Sequence, residues 1–164
     1  MKLIKKDILT VENGIICQQV NCQGAFGAGL AKQIRNKWPK VYEEYIIICK
    51  NNLPDFTLLG QYFVTDISLD LKVCSIFGQL NYGTKERQTD YAALVRVFDH
   101  MKSNKSITNN INKGNLYFPY MFSCGLAGGD WNIVSKMIDY YFPDAFICQL
   151  SEPKKEPYDK FSPI

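Results

Sequence analysis

The chain has no apolar run of membrane-spanning length. Its longest, residues 45–49, falls far short of the roughly 20 residues a bilayer-crossing helix needs. Nor does it carry a signal-peptide core: the opening Met1-Lys2-Leu3-Ile4-Lys5-Lys6-Asp7 is basic, with no apolar stretch behind it. The cytosol is therefore the expected compartment, and no membrane partner is expected. Histidine is nearly missing, His100 being the sole one, so a histidine general base is not expected. No C-x-x-C pair occurs among Cys17, Cys22, Cys49, Cys74, Cys124 and Cys148, and no metal-ligand spacing is present. The cysteines read as buried free thiols in a reducing compartment, and neither metal nor cofactor is expected. Charge of one sign is also scarce: the balance is +3, with the lysines spread along the chain, which does not announce a nucleic-acid binder.

What is there fits one globular domain. At 164 residues, 46% hydrophobic and 21% charged, the chain can bury a core without metal or disulfide support, and low complexity is excluded. Strands are expected over 3–5, 14–20, 60–65, 72–77, 116–122 and 145–150, with a hairpin turn at 66–70. Helices are expected over 30–37, 39–50, 91–101 and 132–141. Tyr91, Leu94, Val95, Phe98 and Met101 fall at helical spacing and read as core. Residues 81–88 form a polar loop, 103–114 a longer Asn/Lys loop, and 151–164 a surface wrap or a partly disordered tail. Strands alternating with helices imply an α/β sandwich with a mostly parallel sheet.

Residues 15–34 are the most informative stretch. An apolar β-branched run passes through Asn21, Gly24, Gly27 and Gly29 into a helix start. Glycines let backbone N–H groups approach a ligand, and a helix start adds unpaired donors and partial positive charge, so such a turn can hold phosphate. The glycine order here is G-x-x-G-x-G, the reverse of the redox dinucleotide fingerprint, and no Gly-Lys-Ser/Thr follows as in a Walker loop. A plain strand-to-helix turn is the competing reading. Asn21 and Gln23 can bond sugar hydroxyls or fix the loop. A second glycine turn, Ser123-Cys124-Gly125-Leu126-Ala127-Gly128-Gly129-Asp130-Trp131, ends another strand, and ligands collect at such carboxyl ends. The two turns could close over one pyrophosphate.

These stretches resemble the macrodomains that bind ADP-ribose. The resemblance rests on Asp7-Ile8-Leu9, on Gln18-Gln19-Val20-Asn21-Cys22-Gln23-Gly24 with Gly27-Ala28-Gly29-Leu30-Ala31, and on Cys124-Gly125-Leu126-Ala127-Gly128-Gly129-Asp130-Trp131. Phe77-Gly78-Gln79 and Gln88-Thr89-Asp90-Tyr91-Ala92-Ala93-Leu94 look similar to bacterial and phage members. It spans residues 1–150 as a single domain. Within the family the chain looks most like the small branch containing ADP-ribose 1″-phosphate phosphatases, terminal ADP-ribose protein glycohydrolases and DNA ADP-ribosyl glycohydrolases.

The resemblance implies a three-layer α/β/α sandwich with a mixed, mostly parallel sheet. It further implies a monomer acting on ADP-ribose, or on a small molecule, protein or DNA end that carries it. Asp7 would meet the adenine amino group, with the Ile8 backbone alongside; on sequence alone Asp7 reads first as a turn or cap residue, and the resemblance reverses that order. Asn21 would hold the distal ribose. Gly27, Ala28, Gly29 and Leu30 would border it and the pyrophosphate, and Ser123, Cys124, Gly125, Leu126 and Ala127 would hold the phosphates. Cys22 and Cys124 read as packing residues, since no activating histidine stands near. Asp130 is the candidate acid or base, against plain capping of the following helix, and Lys85 is a candidate nucleophile at C1″, against a solvated loop lysine. Two further readings remain open: a binding module that does not turn ADP-ribose over, and a redox dinucleotide protein using Glu43 or Glu44, both of which fall inside an expected helix.

Overall fold

The computed structural model describes residues 1–52, 55–105, 107, 109 and 115–150. The elements follow in the order β1 (Lys2–Lys5), β2 (Gly14–Asn21), α1 (Gly29–Lys37), α2 (Pro39–Asn51), β3 (Tyr62–Asp66), β4 (Leu71–Gln79), α3 (Tyr91–Ser103), β5 (Leu116–Pro119), α4 (Trp131–Tyr141) and β6 (Phe146–Gln149). The strands form one six-stranded sheet ordered β1-β6-β5-β2-β4-β3. Every pairing is parallel except β3 with β4, which form a hairpin. The expected mixed, mostly parallel α/β sandwich is the fold observed.

The middle strands show why the sheet forms here. β2 and β4 are buried along nearly their whole length, as an apolar strand covered on both faces must be. Ile15, Cys17, Cys74 and Ile76 point to the α3 and α4 side, where they meet Leu94, Val97, Phe98, Val134 and Ile138. Ile16, Val20, Val73 and Phe77 point the other way, onto Ile34 of α1 and Val41 and Tyr45 of α2. The period of two in each strand thus feeds two cores, one per face.

That layering positions the ligand crevice. β2 and β5 are parallel neighbours, but β2 runs on into α1 on one face and β5 into α4 on the other. Their carboxyl ends therefore part around an open gap, the switch point at which α/β sheets bind ligands. Both glycine turns begin there.

Some boundaries differ from the sequence reading. The strand expected over 116–122 ends at Pro119, because Met121 and Ser123 take left-handed backbone angles (φ 59° and 64°) that break the extended run. Phe122 is apolar and buried, yet it sits in that turn, its N–H bonded to Pro119 O. Val95, expected in the core, is 37% exposed, while Ala93 and Val97 are buried. Helix α4 starts one residue early, at Trp131, and β4 runs on to Gln79. Ser103 closes α3, whereas much of the loop expected over 103–114 and all of the tail expected over 151–164 lie outside the described residues. Among the described residues no helix is long and apolar enough to cross a membrane.

Candidate functional site

The first glycine turn is built around Asn21. A register irregularity at Val20 and Asn21 ends β2 and turns the Asn21 side chain onto the α2 side. Its Oδ1 accepts from Gln23 N at 2.9 Å, Ala25 N at 3.2 Å and the Tyr45 hydroxyl at 2.9 Å. Its Nδ2 donates to Ala25 O at 2.6 Å. The carbonyl is thus saturated by the loop, and one Nδ2 hydrogen is left for a ligand. Burial drives the Tyr45 phenol pKa upward, so it stays a neutral donor to Asn21.

After this hub the chain presents backbone. Gly24 and Gly29 take positive φ (77° and 56°), which turn the chain into α1. Ala28 caps α1 without a side-chain bond, and the first turn holds no acidic residue, so the initial N–H groups stay available to an anion. Gly27 has a different reason to be glycine. Its φ is not left-handed, and a Cβ there would have nothing within 4 Å. Neither backbone angle nor packing demands the missing side chain.

The second turn is held by cross-bonds. The N–H groups of Gln88 and Thr89 donate to Ala127 O at 2.9 and 3.1 Å, and Thr89 Oγ1 donates to Ser123 O at 2.7 Å. Gly129 lets the chain double back, since a Cβ there would lie 2.5 Å from Ser123 O. Gly125, at the tip, repeats the pattern of Gly27: no left-handed φ, and open space where its Cβ would be. Cys124 is buried, and burial, with Asp130 nearby, pushes its thiol up to about 11. A thiol so protonated is a poor nucleophile at neutral pH, as expected for a packing residue. Cys124 should accordingly escape iodoacetamide at pH 8 in the folded protein and react after unfolding, which mass spectrometry of the alkylated peptides will show.

Between and beside the turns lie two connected cavities. One, about 300 Å³, is lined by Gly29 and Leu30 from the first turn, Ser123, Gly125 and Ala127 from the second, and Tyr120. The other, about 460 Å³, is lined by Val20, Asn21, Phe26, Gly27, Tyr82 and Thr84. Gln19, Ala28, Ala31, Gln79 and Leu126 face both. Gln19 Nε2 donates to Gln79 Oε1 at 2.7 Å and to Thr89 Oγ1 at 3.2 Å, which ties the ends of β2 and β4 to the second turn. Gly78 makes this possible: a Cβ there would meet Gln19 Oε1 at 2.5 Å. Among the described residues, three buried polar atoms of side chains lining the smaller cavity, Gln18 Oε1, Gln19 Oε1 and Ser123 Oγ, have no protein partner. Turning the Gln18 amide over would let Ser75 donate to its oxygen and free its NH₂ for the cavity. Such buried groups call for a ligand or a water.

The sequence candidates divide accordingly. Asn21, Gly27, Ala28, Gly29, Leu30, Ser123, Gly125, Leu126 and Ala127 all line one cavity or both. Asp7, Ile8, Cys124, Lys85 and Asp130 line neither. Asp7 caps the short 3₁₀ turn Ile8–Thr10 through Leu9 N at 2.9 Å and lies close enough to Cys148, at the end of β6, to act on its thiol electrostatically. Given the strand order, Asp7, the smaller cavity at β5 and β2, and the larger cavity at β2 and β4 follow one another along the carboxyl edge of the sheet. Asp130 caps α4 through Asn132 N at 2.8 Å. Lys85 is exposed and directly follows Thr84. Gln18, Gln19, Gln79 and Tyr82 are cavity residues to which the sequence reading gave no role; the signal was a pair of glutamines inside an otherwise apolar, fully buried strand. Glu43 and Glu44 lie within α2, and Glu44 accepts from Thr65 Oγ1, which removes it from any ribose-binding position.

No protein-family model matches the sequence. Among curated relatives, an ADP-ribose 1″-phosphate phosphatase of Saccharomyces cerevisiae is 24% identical over 151 residues, covering 79% of this chain and 85% of the relative. Among solved structures, the macrodomain of Mycobacterium tuberculosis DarG matches with a TM-score of 0.71 at 21% identity, over 92% of this chain and 97% of that one. A Thermosipho africanus DarTG structure in complex with ADP-ribose matches with a TM-score of 0.72 at 16% identity, over 92% of this chain and 42% of that one. The chain therefore has the fold of these macrodomains, and its sequence is similar to that of the phosphatase.

Proposed function

We propose that the protein binds ADP-ribose along the carboxyl edge of its sheet and hydrolyses a group carried on the distal ribose. The observation that carries this reading is the linear order of Asp7, the glycine-lined cavity and the larger cavity, which suits a ligand built as base, diphosphate and sugar. Adenine would lie toward Asp7 and the Ile8 backbone. The diphosphate would take the free N–H groups at the start of α1 and the backbone from Ser123 to Ala127, with Gln18 and Ser123 Oγ completing the cradle. The distal ribose would fill the larger cavity beside Asn21, Gln19 and Gln79.

Hydrolysis is supported by the activity named for the yeast relative, which is removal of a 1″-phosphate; a protein or nucleic acid attached at the same ribose carbon is the alternative leaving group. In this chain Asp130 would relay protons from the end of the second turn, Lys85 would approach C1″ from the loop after Thr84, and Asn21 would hold the loop that seats the sugar. A specific observation favours a second reading, binding without turnover: among the described residues no ionisable group other than tyrosine lines either cavity. Catalysis then requires Asp130 or Lys85 to move in. In either reading the site lies within one domain spanning residues 1–150.

Incubation with ADP-ribose 1″-phosphate, an ADP-ribosylated glutamate protein and ADP-ribosylated DNA separates the two. Turnover that falls in Asp130→Ala or Lys85→Ala supports the hydrolase. Binding of ADP-ribose with no turnover of any of the three supports the binder.

A further inference from the structure

Resting on the proposed placement of the distal ribose, we infer that the larger cavity selects a neutral substituent at the 1″ position, a glycoside or ester, and discriminates against a 1″-phosphate. A phosphate monoester carries nearly two negative charges at pH 7. Taking such a group out of water is costly unless cations or several strong donors receive it. Among the described residues the lining offers no cation: the polar side chains are Gln19, Asn21, Gln79, Tyr82 and Thr84.

The donors of that set are largely spent. Gln19 Nε2 is committed to Gln79 and Thr89, Asn21 Nδ2 gives one hydrogen to Ala25 O, and Gln79 Nε2 gives one to Asn81 O. Two amide hydrogens and two hydroxyls remain, all neutral. The remaining walls are the apolar Val20, Ala25, Phe26, Ala28, Ala31 and Leu126 and the backbone of Gly27 and Gly83, which is likewise uncharged, with Tyr82 65% exposed. At about 460 Å³ the space lies within the range that holds a drug-sized molecule, so a ribose leaves room for an uncharged attachment. Lys85 is the nearest cation in sequence, but its side chain is exposed and it is followed by Glu86. The overall charge of +3 pulls the other way, favouring the more anionic ligand at long range. Discrimination against phosphate must therefore arise inside the cavity.

The test is calorimetric titration of the protein with three ligands: ADP-ribose, its 1″-O-methyl glycoside and ADP-ribose 1″-phosphate. The methyl glycoside should bind within about threefold of ADP-ribose, and the 1″-phosphate about tenfold or more weaker, equivalent to roughly 1.4 kcal/mol. Gln79→Lys, which places a cation in the lining, should shrink that gap about tenfold or reverse it. A 1″-phosphate that binds as tightly as ADP-ribose overturns the inference and leaves the ADP-ribose reading intact. If none of the three ligands binds, that reading fails and the inference falls with it.

Discussion

Gly125→Val leaves the protein folded and removes ligand binding. The position needs no glycine for the fold: its backbone is not left-handed, and a Cβ would meet no protein atom within 4 Å. It lies exposed at the tip of the turn that lines the smaller cavity. A valine there fills space assigned to the diphosphate and shields backbone N–H groups from it. The melting temperature should stay within about 2 °C of the parent, as for a surface substitution that breaks no named interaction. ADP-ribose affinity should fall about 100-fold or more, close to 2.7 kcal/mol. Gly27, open in the same way, should behave alike toward the larger cavity. Thermal unfolding beside calorimetry checks both quantities; unchanged affinity would place the diphosphate elsewhere.

Asn21→Ala should have the opposite profile, losing stability and affinity together. The substitution strips the Gln23 and Ala25 N–H groups of their acceptor, while the Tyr45 hydroxyl keeps only the Asn21 main-chain carbonyl of its two acceptors. Asn21 is buried and Ala25 half-buried, so the lost bonds are only partly replaced by water, and the Asn21 side chain leaves a gap beside Tyr45. The cost is about 2–3 kcal/mol, seen as a drop of roughly 5–10 °C in melting temperature. Ligand binding then weakens because the turn from Gln23 to Gly29 loses its anchor. Loss of affinity at unchanged stability would instead mark Asn21 as chiefly a direct ligand contact.

The contrast between these two positions shows what the sequence could reveal. Glycine at an unusual spacing after an apolar strand announced a turn that approaches a ligand, and the structure places both turns at the switch point between β2 and β5. The layers were legible for the same reason: periods of two in β2 and β4, and of three to four in α3, reflect burial against a sheet and a helix face. What escaped depends on contacts between residues far apart in sequence. Gln19 reads as one polar residue in a strand until Gly78, Gln79 and Thr89 are seen to seat its amide. The end of β5 was misplaced because Phe122 is as apolar and buried as a strand residue, and only the left-handed φ of Met121 and Ser123 shows that it lies in a turn. Val95 followed the helical period yet sits at its outer margin, where exposure depends on how α3 is rotated against the sheet.

Asp130 and Lys85 illustrate a different limit. A carboxylate before a helix can always cap it, and Asp130 does so, which leaves its part in chemistry to be settled by kinetics. The two glutamines that face both cavities are unable to ionise, so they can hold and orient a ligand but cannot exchange a proton with it at neutral pH.

The central claim is that ADP-ribose lies across both glycine turns. Isothermal titration of ADP-ribose into the unmodified protein and into Gly125→Val tests it most directly. The account predicts one saturable site with a dissociation constant in the micromolar range or tighter for the parent, and binding about 100-fold or more weaker for the variant. No binding to the parent at low millimolar ADP-ribose, or equal binding to both proteins, would contradict it.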